Sequence, residues 1–169
     1  VWSDRLGSPG DSGRDTGITR APLRFTVYAD TTEAAAIAVR EGCRSICFEP
    51  AFFLPRHSCQ PGDGEQVRSI QHQVMAAQAL CQEAGARFAL KLPRITRDEY
   101  LGTVLPEILL LHEEGLEACM VENPGAAHAI RTRMPGMALL GAAGLNIFNH
   151  CSASHISLAF RSLTLSSEL

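Results

Sequence analysis

The sequence predicts a parallel α/β fold, an incomplete (β/α) barrel of the TIM type with about six strands and five helices. Three observations lead there. From Leu23 onward, short apolar runs alternate with amphipathic stretches at helical spacing. Glycines close most of those stretches. The runs are nearly continuous in apolar residues instead of alternating, as expected for strands covered by helices. Crossovers between parallel strands are right-handed almost without exception, so successive units curl one way into a barrel or a doubly wound sheet, and the barrel is the expectation. A full barrel has eight strands and typically about 250 residues. This chain has 169, so two strand edges are expected to stay open.

Residues 1–22 are rich in Gly, Ser, Asp and Arg without an apolar period. They read as a disordered tail or linker, because such a segment cannot bury enough surface to offset the entropy of ordering. Residues 23–169 read as the barrel domain. Leu23 to Tyr28 alternates as a first strand, and Thr31-Thr32-Glu33 opens an Ala-rich helix that stops at Gly42. Thr accepts orphan amide hydrogens there, Glu33 suits the positive helix end, and glycine tolerates the left-handed turn at the other end. Ser45 to Phe48 is the second strand, followed by a long loop. Val67, Ile70, Val74, Ala77 and Cys81 then recur at spacings of three and four, marking one face of a helix that ends near Gly85.

Phe88 to Leu92 reads as the third strand, stopped by Pro93, which has no amide hydrogen to continue a ladder. Leu101, Val104, Leu105, Ile108 and Leu111 form the next buried face, with Pro106 expected to kink or restart that helix and Gly115 to close it. Cys119 to Val121 is the fourth strand, Gly125 to Arg133 a short helix, and Met137 to Leu140 the fifth strand. His150 to Arg161 reads as a helix and Leu163 to Leu165 as the sixth strand.

Composition narrows the function classes. The chain is 46% hydrophobic and 20% charged, which suits a soluble globular domain with one core. A net charge of −3 and a pI near 6.1 provide no basic field to gather nucleic acid or an anionic membrane. No window approaches the roughly 20 apolar residues of a membrane helix, and the N-terminus lacks a signal-peptide layout. The expectation is a cytoplasmic protein with no membrane partner. Among the six cysteines, Cys43, Cys47, Cys81 and Cys119 fall in apolar patterns and are expected to be reduced and buried. The chain begins with Val1, so a processed product or a gene fragment is expected.

Ligands of parallel α/β folds bind beyond the carboxyl ends of the strands. The polar residues there are Asp30, Glu49, Arg94, Asn123, Asn146, Asn149 and Glu168, each just past one apolar run. Gathered on one rim, they would suit a polar or anionic small molecule. The alternative for any single one is that it caps the next helix.

Four blocks stand at these same strand ends: Leu92-Pro93-Arg94-Ile95, Glu122-Asn123-Pro124-Gly125, Leu145-Asn146-Ile147-Phe148-Asn149 and Leu165-Ser166-Ser167-Glu168-Leu169. In order and spacing they resemble the barrel half of the collagenase-like peptidase family U32, over about Leu23 to Leu169. The resemblance implies a TIM-barrel-like domain and a peptidase, that is, a hydrolase acting in proteolysis. Similar proteins are implicated in oxygen-independent hydroxylation of RNA bases or of a quinone precursor with an iron–sulfur cluster. Peptide or modified RNA therefore joins the list of expected partners. The cluster's cysteines lie mostly downstream of the Ser-x-Glu-Leu block, so no cofactor is expected in this chain, and a cluster is expected only in a longer family member. The matching rim positions are expected to bind substrate: Arg94 a carboxylate or phosphate; Asn123, Asn146 and Asn149 through hydrogen bonds; Glu49 and Glu168 a cation or a proton.

The chain departs from the family pattern in three places. Ala142-Ala143-Gly144 stands where the family has an Asp shortly before the Leu-Asn-x-Phe-Asn block, which removes a carboxylate from the expected rim. Ser167 stands in place of Pro, and Glu122 replaces a small residue before Asn123.

Other signals carry less. Cys43 and Cys47 lie one before and one within a strand, without a second pair, so no metal site is expected. His57-Ser58-Cys59 pairs a thiol with a nearby base in the long loop, and His150-Cys151 follows Asn149 near the rim. No catalytic nucleophile is assigned. A non-catalytic reading stands beside the enzymatic one: a barrel module completed by another chain or a missing segment, associating through its open edges.

Overall fold

The computed structural model describes residues 25–50, 64–94 and 97–166, with the side chains of 64–70 left aside. The expected tail, residues 1–22, lies outside the described residues.

Six strands alternate with five α-helices: β1 (Val27–Ala29), α1 (Thr32–Arg40), β2 (Ser45–Phe48), α2 (Gly64–Glu83), β3 (Arg87–Lys91), α3 (Asp98–Glu113), β4 (Ala118–Val121), α4 (Pro124–Arg133), β5 (Ala138–Gly141), α5 (His150–Ser157) and β6 (Ser162–Leu163). A 3-10 turn at Ala143–Leu145 lies between β5 and α5. The strands form one sheet in the order β1-β2-β3-β4-β5-β6, every neighbouring pair parallel. A doubly wound sheet reverses its strand order partway. This one never does, so the fold is the incomplete TIM-barrel-like α/β arrangement, with β1 and β6 as its edges.

The core lies between the sheet and α1–α4. Ile46, Phe48, Leu90, Val121 and Leu139 of the strands meet Val74, Ile108 and Ile130 of the helices in one buried cluster. Cys47, Met120 and Ala142 form a second, small cluster with Leu140 packed against it. Successive strand residues point to opposite faces, so these clusters mark a helix-covered face and a helix-free face. Large apolar side chains fill the first; small or slender ones line the second.

Local chemistry sets the element ends. Thr31 accepts from the Ala34 amide at 3.2 Å and caps α1. Gly42, Gly85 and Gly115 end the first three helices at φ of 90°, 64° and 97°, where a Cβ would clash with the following backbone. The expected apolar face of α3 is buried in full: Leu101, Val104, Leu105, Ile108 and Leu111. That helix runs unbroken through Pro106. The proline sits on the exposed side, and the residue four before it, whose carbonyl its ring would crowd, is the exposed Gly102. Of the expected face of α2, Val74, Ala77 and Cys81 are fully buried.

Several boundaries differ from the sequence reading: β1 pairs over Val27–Ala29 instead of Leu23 to Tyr28, and β3, β4, α4 and β5 shift by a residue at one or both ends. α5 ends at Ser157, short of Arg161, and the sixth strand pairs over Ser162–Leu163 alone. α5 buries none of its residues, so little tertiary packing extends it. No helix among the described residues is long and apolar enough to cross a membrane.

Candidate functional site

The helix-free face ends in a charged mouth. Cys47, Ala89 and Met120 belong to that face, and the residues two further along each strand are Glu49, Lys91 and Glu122. A period of two keeps all three on the same side. Parallel register continues the Phe48–Leu90 pairing to set Glu49 beside Lys91, and Glu122 stands two residues past Met120, the partner of Lys91.

Lys91 Nζ lies 2.6 Å from Glu49 Oε2 and 3.8 Å from Glu122 Oε1. The side chains are 11% exposed for Lys91, 30% for Glu49 and 14% for Glu122, so the cluster is screened from bulk water on most sides. Ion pairs in such surroundings require near-complete pairing, because desolvating the charges costs several kcal/mol per ion, roughly. Below the charges lies a soft floor: the Tyr28 hydroxyl donates to Met120 Sδ at 3.6 Å, and the Cys47 thiol approaches the same sulfur at 3.4 Å.

Burial pushes the Cys47 thiol up to about 12, outweighing the opposing pull of Lys91, with Glu49 and Glu122 pushing in the same direction as burial. It is a thiol, not a thiolate, at neutral pH, and therefore a poor nucleophile. Tyr28 is raised too, first by burial and then by Cys47. Tyr100, at the start of α3, is raised by burial and next by the charge of Glu49. Its hydroxyl is buried with no hydrogen-bond partner among the described residues.

The expected rim residues divide. Glu49 sits in the mouth, bound to Lys91. Arg94 is exposed at the bend after β3, and Asp30 is exposed after β1. Asn123 caps α4, its Oδ1 accepting from the amides of Gly125 at 2.7 Å and Ala126 at 3.3 Å. Asn149 caps α5 through the Ser152 amide at 2.9 Å. Asn146 ends the 3-10 turn in the left-handed region at φ 54° and is exposed. Glu168 lies outside the described residues, as does the loop carrying His57, Ser58 and Cys59.

Sequence reasoning overlooked Lys91 as a site residue and treated Glu122 only as a departure. The signal was available for both. A lysine inside Phe88-Ala89-Leu90-Lys91-Leu92 must find a countercharge if that strand is buried, and the neighbouring strands end in carboxylates on the same face, Glu49 beside it and Glu122 two residues past its partner Met120.

Two other features stand apart from the mouth. Cys151 Sγ lies 3.3 Å from His150 Nε2 at the exposed start of α5. A hollow on the helix side is lined by Met75, Gln78, Ala79, Gln82 and Glu114, without converging charges. Among the described residues, no three His, Cys, Asp or Glu side chains gather as metal ligands.

No family model matches the chain, and no curated protein matches it.

Proposed function

We propose that the chain is part of a barrel of the collagenase-like peptidase type, and that the mouth of Glu49, Lys91 and Glu122 holds a charged, peptide-like substrate for hydrolysis. The observation that supports this reading is the grouping of three mostly buried charges beyond the carboxyl ends of adjacent strands, the end at which barrels of this kind carry their chemistry. The resemblance in the Leu-Pro-Arg-Ile, Leu-Asn-Ile-Phe-Asn and Leu-Ser-Ser-Glu-Leu blocks supplies the peptidase part of the proposal.

Iron–sulfur-dependent hydroxylation is the other activity the resemblance implies. Cys47 and Cys119 belong to opposite faces of the sheet, and the described residues offer no cluster of thiolates. The described residues do not fit such a group.

The test is fluorescence anisotropy with a labelled hexapeptide mixture, followed by mass spectrometry of the incubated peptides. Saturable binding that weakens in Glu49→Gln and Glu122→Gln, together with new peptide termini, is the expected outcome. Binding without cleavage keeps the substrate site and removes hydrolysis. Preference for an RNA oligonucleotide over peptides transfers the reading to base modification.

A second reading, a barrel module completed by further strand–helix units, is favoured by the apolar residues standing at the open edges. Phe25 beside β1 is 69% exposed, and Leu158 and Leu165 beside β6 are 85% and 52% exposed. Native mass measurement of the folded chain checks it: a clean monomer over a wide concentration range counts against association.

A further inference from the structure

We infer that Glu122 is the ligand-binding carboxylate of the mouth and that it receives a cationic group, an ammonium or guanidinium, of the bound molecule. The inference rests on the mouth being a substrate site and deepens that reading by naming the charge it selects.

The charges in the mouth are unbalanced. Among the described residues, two carboxylates face one ammonium, which leaves a net negative charge. Their pairing is also unequal: Lys91 holds Glu49 at 2.6 Å and stands off from Glu122 at 3.8 Å, beyond hydrogen-bond length. Among the described residues, no closer polar group reaches Glu122. Among the described residues this carboxylate, whose side chain is 14% exposed, makes no hydrogen bond and has only the long ion pair to Lys91 in place of water. A cationic ligand restores that loss. An anionic ligand meets the opposite situation, since it must take Lys91 from Glu49 and then lie beside Glu122.

The fold seats this carboxylate on bare backbone. A Cβ built on Gly144 would lie 2.6 Å from Glu122 Oε2 and 2.8 Å from Glu122 Cβ, closer than atoms pack. Any side chain at position 144 therefore displaces Glu122. The turn after β5 contributes no carboxylate of its own in Ala142-Ala143-Gly144, and the carboxylate resting against it comes from the end of β4.

The floor adds an aromatic ring: Tyr28 is 56% exposed, belongs to the same face and touches Met120, two residues before Glu122. An exposed tyrosine ring below the carboxylates offers a cation a further favourable surface.

The experiment is a chemical-shift titration of the full 169-residue chain with three tripeptides, Gly-Lys-Gly, Gly-norleucine-Gly and Gly-Glu-Gly, all acetylated and amidated so that only the side-chain charge differs. The lysine peptide is expected to bind about ten- to a hundredfold more tightly than its norleucine counterpart, the range of a charge-assisted hydrogen bond. Glu122→Gln and Gly144→Ala are expected to erase that preference, and the surface change Glu113→Gln to keep it. If Gly144→Ala does not fold, Glu122→Gln, nearly identical in shape, carries the test. A lysine preference that survives Glu122→Gln, or a preference for the glutamate peptide, overturns the inference and leaves the mouth as a binding site. Failure of all three peptides to bind removes the site itself.

Discussion

Replacing Lys91 by methionine keeps most of the side chain's volume and deletes the one positive charge lying between Glu49 and Glu122. Both carboxylates were within 4 Å of that ammonium, at 2.6 and 3.8 Å, and neither gains a new partner. Breaking a buried ion pair by removing one member costs about 3–5 kcal/mol. Because Glu49 is 30% exposed and keeps some access to water, the lower end, about 3 kcal/mol, is the expected loss. With a urea m-value of about 2 kcal/mol/M, the unfolding midpoint falls by about 1.5 M.

Urea unfolding followed by circular dichroism measures the loss. The double change Lys91→Met with Glu49→Gln is expected to cost less than the two single changes added together. A midpoint shift below about 0.3 M, or strict additivity, would refute the reasoning.

Four further expectations concern the scaffold. The thiols of Cys47 and Cys119, both pushed up to about 12 by burial, with Lys91 opposing at Cys47 and Cys47 itself adding at Cys119, stay protonated in the folded chain while the unfolded chain ionises them near 9.0. Above that value the folded state therefore binds more protons, and stability falls by roughly 1.4 kcal/mol per pH unit for each thiol; a flat unfolding profile between pH 8 and 10 contradicts this. Iodoacetamide labelling of the native chain at pH 8 is expected to reach the exposed Cys151 ahead of the buried Cys47, and equal labelling of Cys47 contradicts the burial argument. Phe48→Ala, removing a fully buried ring that packs on Phe88 at a centroid distance of 5.9 Å, should cost about 3–5 kcal/mol in thermal or urea unfolding. Asn123→Ala should cost about 1 kcal/mol through loss of the α4 cap, and Asn123→Asp little; a drop in peptide binding much larger than the drop in stability would show that Asn123 also touches substrate.

Much of the scaffold was legible in the residues. Helix ends were readable because their causes are local: Thr31, Gly42, Gly85 and Gly115 act on backbone groups within a few positions of themselves. Helix faces were readable for the same reason, since Leu101 to Leu111 share a side at a fixed repeat. The fraying end of α5 was not, because a helix that buries nothing is only as long as its own weak propensity allows, and no neighbour extends it.

The candidate site was legible only in part. Listing polar residues immediately past each strand found Glu49, but it also collected Asn123 and Asn149, whose side-chain oxygens are occupied with helix amides. Those two had a local alternative, capping, that the chain satisfies within three residues. Lys91 and Glu122 had none: each partner lies on another strand, 42 positions away for Glu49 and Lys91.

From the residues alone came the class of fold, the positions of the strands and helices, and the end of the sheet on which chemistry would sit, because each depends on hydrophobic period and turn chemistry along the chain. Which side chains share a face, which carboxylate lies nearest the ammonium, and which one rests on Gly144 were decided by parallel register between strands far apart in sequence. A pairing shift of one residue would send every one of these groups to the opposite face, and no local pattern in the chain specifies that alignment.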